Sequence, residues 1–468
     1  MSVELDDVIA AAQLVPLSQA VEVNPRIDRT AFHDDLDVSF VPMAAVEALT
    51  GGIDVSTVRK YSEVKKGYTH FRDGDILFAK VTPCMENGKM AIARKLINGV
   101  GFGSTEFHVL RPRAGVDARY IYYFISSQTF RKEASGHMTG AVGLRRVPSA
   151  YLEEQLIPLP GIEQQREIVA ELEKQFSRLD DAVANLQRVK SNLKRYKASV
   201  LKDAVEGRLV PLEADLARRE GRSFEPGEQL LQRVLEARKN EWAGRGKYEL
   251  PPAVDTDGLT NLPTGWVWAS AEQLSTFITK GTTPAAEKLL VGVGDVQFLK
   301  VYNLTFDGTL NHAYKPAFVS RETHEGELLR SQVLAGDVLI NIVGPPLGQV
   351  SVVPPTMAEA NMNQAVARYR PIKPLSTKFV AHALMTESIM AWAIRKAKTT
   401  AGQTNLTLDL CRRLPIPLPP LAEQERIVAE VDRRLSLIIG VQAEVNANLK
   451  RAHALRESTL YKAFSVHQ

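Results

Sequence analysis

Ile157-Pro158-Leu159-Pro160 and Ile416-Pro417-Leu418-Pro419 are one tetrapeptide met twice, 259 residues apart, and the long helical run after each copy sets the architecture. The register holds without a gap to the C-terminus. Gln165 falls on Gln424, Ile168-Val169-Ala170-Glu171 on Ile427-Val428-Ala429-Glu430, Ser199 on Ser458 and Leu201 on Leu460. Solenoid repeats run about 20–50 residues, so a period this long marks a duplicated module. Each module is a globular part followed by a helix, an arrangement suited to gripping something at two separated points.

The helices are read from spacing. Neither Pro nor Gly occurs between Ile162 and Val205. Leu172, Leu179, Leu186, Leu193 and Val200 recur every seventh residue, while Val169, Phe176, Val183, Lys190, Lys197 and Ala204 hold the alternate position. An apolar seam sustained in this way needs a partner helix to cover it. At 1.5 Å per residue the helix is on the order of 65 Å long. The second copy offers the partner: Val431, Ile438, Val445 and Ala452 in one row, Val428, Leu435, Gln442, Leu449 and Arg456 in the other. Mutual pairing of the two seams is expected, against the plainer arrangement of two surface helices each docked on its own domain. Polar seam residues such as Lys190, Lys197, Gln442 and Arg456 weaken packing but can fix register.

Outside the helices, short β-prone runs alternate with turn residues. Asp75-Ile76-Leu77-Phe78-Ala79 follows Asp73-Gly74, and Phe107-His108-Val109-Leu110 precedes Arg111-Pro112. A helical stretch from Val116 to Lys132 carries Tyr120, Tyr122, Tyr123 and Phe124. The second half echoes the first faintly, with Ala335-Gly336-Asp337-Val338-Leu339 and Arg370-Pro371. The expected architecture is α+β: globular parts over 1–160 and 263–420, each a curved sheet with helices. A central helix spans 161–207, a connector with an amphipathic helix 208–262, and a C-terminal helix 421–468.

Composition excludes several classes. Net charge is +4, 44% of residues are hydrophobic and 24% charged, as in an ordinary globular chain. A mild positive balance is compatible with a polyanionic partner without requiring one. Cys84 and Cys411 are the only cysteines and no Cys/His cluster exists, so no metal site is expected. The acidic start Met1-Ser2-Val3-Glu4-Leu5-Asp6-Asp7 and the lack of a long apolar run predict a cytoplasmic protein without membrane spans. No phosphate-binding GxxxxGK[ST] loop occurs. Gly99-Val100-Gly101-Phe102-Gly103 leads into Ser-Thr-Glu-Phe, not a helix, and reads as a strand entry. Asn341-Ile342-Val343-Gly344-Pro345-Pro346 lacks the aromatic residue of an adenine-methyltransferase motif, and Thr82-Pro83-Cys84 is a weak nucleophile loop. Asp75 and Asp337 read as turn caps.

What remains is cationic and amide side chains near loops. Arg and Lys match guanine edges and phosphates, and Asn and Gln match adenine edges, in donor–acceptor geometry. In the first globular part the candidates are Lys80, Thr82, Lys89, Arg94, Arg145 and Arg146; in the second, Lys280, Thr282, Thr283, Asn341, Gln403 and Asn405. Any one of them taken alone reads more readily as solvated surface.

Residues 416–428 read Ile-Pro-Leu-Pro-Pro-Leu-Ala-Glu-Gln-Glu-Arg-Ile-Val, which resembles the signature opening the spacer helices of type I restriction–modification specificity subunits. The first copy departs, with Gly161 for the second proline and Gln164-Gln165 for Glu-Gln. Leu262-Pro263-Thr264-Gly265-Trp266-Val267-Trp268 resembles the entry to a target-recognition domain in that family, and Thr139-Gly140-Ala141 through Arg145-Arg146 the exit. The connector helix Gln229 to Trp242 is similar as well. The resemblance implies two target-recognition domains, each reading one half of an asymmetric split site in double-stranded DNA. It implies two spacer helices pairing antiparallel, in a pseudo-twofold architecture, to set the gap between half-sites. It implies a non-catalytic chain with no cofactor of its own. Two modification subunits using S-adenosylmethionine, and restriction/translocase subunits using ATP and Mg, would be its partners. The competing readings are a self-sufficient methyltransferase or nuclease, which would bind cofactor alone, and a coiled-coil adaptor, which would not shift DNA.

Overall fold

The computed structural model describes residues 12–28, 32–141, 143–242, 247–400 and 403–464. The acidic stretch Met1 to Asp7, and Val142 inside the exit motif, lie outside the described residues. The chain divides into two compact units, residues 1–188 with 445–468, and residues 189–444.

In the first unit the run Ile76–Ala79 is apolar at every position and buried at every position. A strand with no polar face belongs inside, and it is flanked on both edges. Val21–Val23, Phe107–Pro112, Ile76–Ala79 and Met90–Ile92 lie in that order, all antiparallel. A second sheet orders Val58–Lys60, Asp37–Val41, Val100–Gly103 and Thr69–Arg72, its central pair parallel. The glycine run thus sits in a strand: a Cβ on Gly101 would stand 2.2 Å from the Phe71 ring, so the glycine makes room for that side chain. The helix Ala118–Ser126 starts at Asp117, whose carboxylate accepts from Arg119 N at 2.8 Å, an N-cap contact.

The second unit repeats this plan. Ser275–Lys280, Val366–Pro371, Val338–Asn341 and Val350–Val352 form the antiparallel sheet. The mixed sheet orders Leu290–Val291, Ala317–Val319, Val296–Leu299, Glu359–Met362 and Gln332–Leu334, again with a parallel central pair and with one further edge strand. The sheet expected of each globular part is therefore divided in two. The connector belongs to this unit: in its helix Gly227–Asn240, Leu230, Leu231, Val234 and Leu235 are buried in the second core.

The tetrapeptides close the modules. Leu14–Pro16 pairs with Leu156–Pro158, and Val267–Ser270 with Pro415–Leu418, so each module's first strand is zipped to its last. From there run two helices of 44 residues, Ile162–Val205 and Leu421–Phe464, and the unit boundaries at 188/189 and 444/445 fall inside them. In the first unit Val169, Leu172, Phe176 and Leu179 share a core with Leu460 and Ala463. Arg456 pairs with Asp180 at 2.9 Å, its guanidinium 4.2 Å over the Phe176 ring. In the second unit Leu193, Val200, Leu201 and Ala204 cluster with Ile427, Val428, Val431, Leu435 and Ile438, joined by Trp266 and Phe379. The start of each helix thus meets the end of the other, an antiparallel pair.

Burial departs from a strict two-position seam. Ile427, Leu201 and Leu460 are buried outside the expected rows, while Val183, Leu186 and Leu449 are half-buried and Val445 is buried. Near their ends the helices also bed on the globular cores, so the apolar face broadens beyond a coiled-coil stripe. Lys197, in the seam by spacing, instead donates from Nζ to Phe306 O at 2.6 Å.

Among the described residues no helix is long and apolar enough to cross a membrane, and no His/Cys/Asp/Glu group is arranged to hold a metal.

Candidate nucleic-acid interface

In the first unit the chain beyond Ala79 continues as an extended segment, against which residues 138–141 and 143–147 pair back. Thr139 and Arg146 exchange main-chain hydrogen bonds (2.9 and 2.8 Å), Thr82 N donates to Arg145 O at 3.0 Å, and Val147 N donates to Lys80 O at 2.9 Å. This gathers Lys80, Thr82, Arg145 and Arg146 at one end of the antiparallel sheet. The cluster carries its own counter-charge: Glu106 accepts from Arg146 Nε and Nη2 at 2.8 and 2.7 Å, and Glu86 lies 3.9 Å from Arg145. The Arg146 guanidinium holds the Glu106 carboxyl below its ordinary range. Burial lowers the Lys80 ammonium, opposed by Glu106 and assisted by Arg146. Beneath them the His108 ring hydrogen-bonds through Nε2 to Val147 O at 2.8 Å. A carbonyl only accepts, so Nε2 carries the proton and Nδ1 accepts from Asn24 Nδ2 at 3.0 Å. Burial pushes this histidine's pKa down, which keeps it neutral.

Two candidates stand apart. Lys89 reaches the same end of the sheet, but its Nζ donates to Met43 O at 3.1 Å. Arg94 is exposed beyond Ile92, at the opposite end of the Ile76–Ile92 hairpin, with no polar partner among the described residues.

The second unit assembles its candidates around the start of the Val366–Pro371 strand. Lys280 pairs with Ala367 across one edge and Asn341 with Val366 across the other. Gly281 turns the chain here, and a Cβ on it would fall 2.1 Å from Met362 O; only glycine permits that approach. Thr282 N then donates to Met362 O at 3.1 Å and Thr283 Oγ1 donates to Gln364 Oε1. Lys398–Thr400 and Gln403–Asn405 form a hairpin in which Thr400 faces Gln403 and Lys398 faces Asn405. Asn405 also bridges Val343. The hairpin is the counterpart of 138–141 and 143–147, since Lys398 and Asn405 stand 259 residues after Thr139 and Arg146.

Asn341 has a different task from the one its residue type suggests. It is 1% exposed; Nδ2 donates to Pro346 O at 2.5 Å and Oδ1 accepts from Val343 N at 3.0 Å. A side chain so committed braces its loop and presents nothing to a base edge. Its counterpart in the first unit is Ala79: Asn341 N donates to Gln349 O as Ala79 N does to Lys89 O.

Residue types alone also missed the joints that aim these clusters. Gln165 Oε1 accepts from Asp117 N at 2.9 Å while its Nε2 donates to Pro160 O at 2.8 Å. Gln424 repeats this with Ser376 N at 3.1 Å and Pro419 O at 3.0 Å. One amide thus ties the N-cap of a domain helix to the chain just before the long helix. Its position in both copies of the motif was the available signal. Asp75 does cap its turn, accepting from Arg72 N at 2.8 Å, but it also binds Arg111 through two contacts of 2.8 and 2.7 Å. Asp337 does the same with Leu334 N (2.8 Å) and Arg370 (2.7 and 2.8 Å). The second unit adds Glu423, fully buried, which accepts from Trp266 Nε1 at 3.0 Å and Glu213 N at 2.9 Å.

Comparison with known proteins places this geometry. The type I restriction modification DNA specificity domain matches residues 13–194 and 326–451. The EcoEI specificity subunit of Escherichia coli is 28% identical over 473 residues, covering 89% of this chain and 76% of that protein. The EcoAI specificity subunit of E. coli is 30% identical over 308 residues, covering 56% and 50%. A chain solved in work on "complex assembly and conformational transition of the type I R-M system" shares the fold, with a TM-score of 0.66 at 20% identity over 96% of this chain and 97% of its own. The chain belongs to the type I restriction–modification DNA specificity family, as a subunit that recognises DNA sequence and leaves catalysis to others.

Proposed function

We propose that this chain reads a bipartite, asymmetric site in double-stranded DNA, one half with each module, and that the antiparallel helix pair sets the number of unread bases between the halves. The reading rests on one observation above others. Two modules with the same joints, Gln165 on Asp117 and Pro160, and Gln424 on Ser376 and Pro419, carry different side chains at the loop clusters. Like frames with unlike tips suit two readers of different sequences. Lys80, Thr82, Arg145 and Arg146 serve the first half-site, and Lys280, Thr282, Thr283, Gln403 and Asn405 the second. Lys89 and Asn341 support these loops, and Arg94, at the far end of its hairpin, serves backbone contact away from them. Phosphate contacts give salt-sensitive affinity and a few base-edge contacts give sequence. Half-sites read from one face of a duplex lie about 34 Å apart, one helical turn.

On this reading the chain needs no cofactor of its own. Two modification subunits bring S-adenosylmethionine and flip the adenine to be methylated, while restriction/translocase subunits bring ATP and Mg. Leu437 and Val441, one turn apart and 59% and 45% exposed, provide apolar surface on the C-terminal helix for such a partner. The work is cytoplasmic, where the DNA is.

The test is co-expression with the neighbouring modification subunit in a host lacking other methylation, followed by genome-wide mapping of N6-methyladenine. The expected result is one split motif with a fixed gap. A continuous motif, or methylation by this chain alone, would sink the reading.

A further inference from the structure

The loop of residues 80–89, between the strands Ile76–Ala79 and Met90–Ile92, carries Thr82 and the exposed Asn87. Its main chain is tightly turned: Asn87 N donates to Pro83 O at 3.0 Å, Gly88 N to Met85 O at 2.8 Å, and Lys89 N to Cys84 O at 3.0 Å. A side chain from outside the loop holds it. Arg131, 11% exposed, donates from Nη1 to Glu86 O at 2.7 Å, from Nε to Ser126 O at 3.0 Å, and from Nη2 to Glu457 Oε1 at 3.0 Å. The other oxygen of Glu457, on the C-terminal helix, accepts from Gln128 N at 3.0 Å. A guanidinium is a rigid planar fork, so fixing two of its nitrogens aims the third.

The second module lacks this device. The residue 259 positions after Arg131 is Met390, and the residue 259 before Glu457 is Ala198. The place is nevertheless the same. Gly88 and Gly348 are left-handed glycines (φ +71° and +83°), and a Cβ on either would meet Arg131 Cδ at 3.6 Å or Met390 Cγ at 3.2 Å. Where the second module packs a thioether against its loop, the first runs a polar relay from the C-terminal helix to the loop's carbonyl.

We propose that Arg131, held by Glu457, is a positioning residue for DNA reading by the first module alone: it fixes the 80–89 loop so that Thr82 and Asn87 meet the bases. This rests on the two-reader function proposed above. The unmodified complex tests that function by itself, since a fixed split motif must appear before any variant is scored.

The experiment compares Arg131→Met, which copies the second module, with Arg131→Lys and Glu457→Gln in the complex with the modification subunit. Mapped methylation in Arg131→Met should show about tenfold weaker discrimination at one or more positions of one half-site, the scale of a lost base-edge contact. The other half-site and the gap should stay unchanged. Arg131→Lys should restore part of the discrimination, and Glu457→Gln should shift the same half-site less. Hydrogen exchange on each folded chain supplies a readout independent of DNA: amides of residues 85–89 should exchange at least tenfold faster in Arg131→Met, with the Ile76–Ala79 strand unchanged. Equal loss at both half-sites, or unaltered base preference, would overturn the proposal, as would unaltered exchange in the loop.

Discussion

The two modules repeat their joints closely and their tips hardly at all. Asp75 with Arg111 and Asp337 with Arg370 occupy the same turn and strand in each, and Gln165 and Gln424 make the same pair of main-chain contacts. Yet Lys80 stands where the second module has Ile342, and Arg131 where it has Met390. Side chains that fix the frame are tied to geometry common to both modules. Side chains at the loop ends are not tied to that common geometry and differ between the two. Even the joints are not identical, because Asp337 has a second cation, Arg368, 3.8 Å away and 4% exposed. Burial drives that guanidinium's pKa down to about 10, with Asp337 opposing.

That difference ranks the expected effects of substitution. Removing one member of a buried ion pair costs roughly 3–5 kcal/mol because the remaining charge is left uncompensated. Asp337→Ala strands two cations and should cost about 5 kcal/mol, Asp75→Ala about 3 kcal/mol, read as shifts of the urea midpoint. Equal losses would show that Arg368 finds compensation elsewhere.

A smaller effect tests a likeness. Each unit has a histidine whose pKa burial lowers to about 4: His70, further lowered by Arg111 and Arg72 and opposed by Asp75; and His382, opposed by Asp432 and assisted by Lys378 and Lys197. An unfolded histidine titrates near 6.5, so between pH 6.5 and 4 the unfolded chain binds more protons than the folded one. Stability should be level above pH 6.5 and fall as the pH drops through that window, by up to about 3 kcal/mol per histidine. His70→Phe and His382→Phe should each flatten part of the acid limb in a Tm-against-pH series. Unchanged limbs in both variants would refute the assignment.

The smallest effect compares the amide joints. Gln165→Ala removes three hydrogen bonds to main chain, the third a long one of 3.4 Å to Gly115 O, and Gln424→Ala removes two, about 1–2 kcal/mol in each case. By scanning calorimetry this is a Tm drop of a few degrees. The Gln424 variant should lose less, because Glu423 also holds the second helix, to Trp266 and Glu213.

How much of this could be read beforehand differs by level. The helices were legible because an apolar seven-residue spacing, sustained over about five heptads, is the pattern of a long helix that needs a partner helix. The widened apolar face at Ile427 and Leu460 was not, since spacing within a helix is silent about what a globular core adds to it. Among site candidates residue type misled at Asn341, an apparent adenine reader whose amide is committed to its own loop. It was silent at Arg131, an ordinary arginine on an ordinary amphipathic helix. Which side chain is free and which is bound depends on loop closure, and ten residues of loop carry no periodicity to read.

The glutamine joints have one more consequence. Every group they grip (Asp117 N, Pro160 O and Gly115 O; Ser376 N and Pro419 O) belongs to the main chain. A fastening that ignores side chains accepts any domain presenting the same backbone. Recombination could therefore trade one reading head for another at this point, and a lineage could acquire a new DNA target in a single crossover without refitting the shaft that carries it.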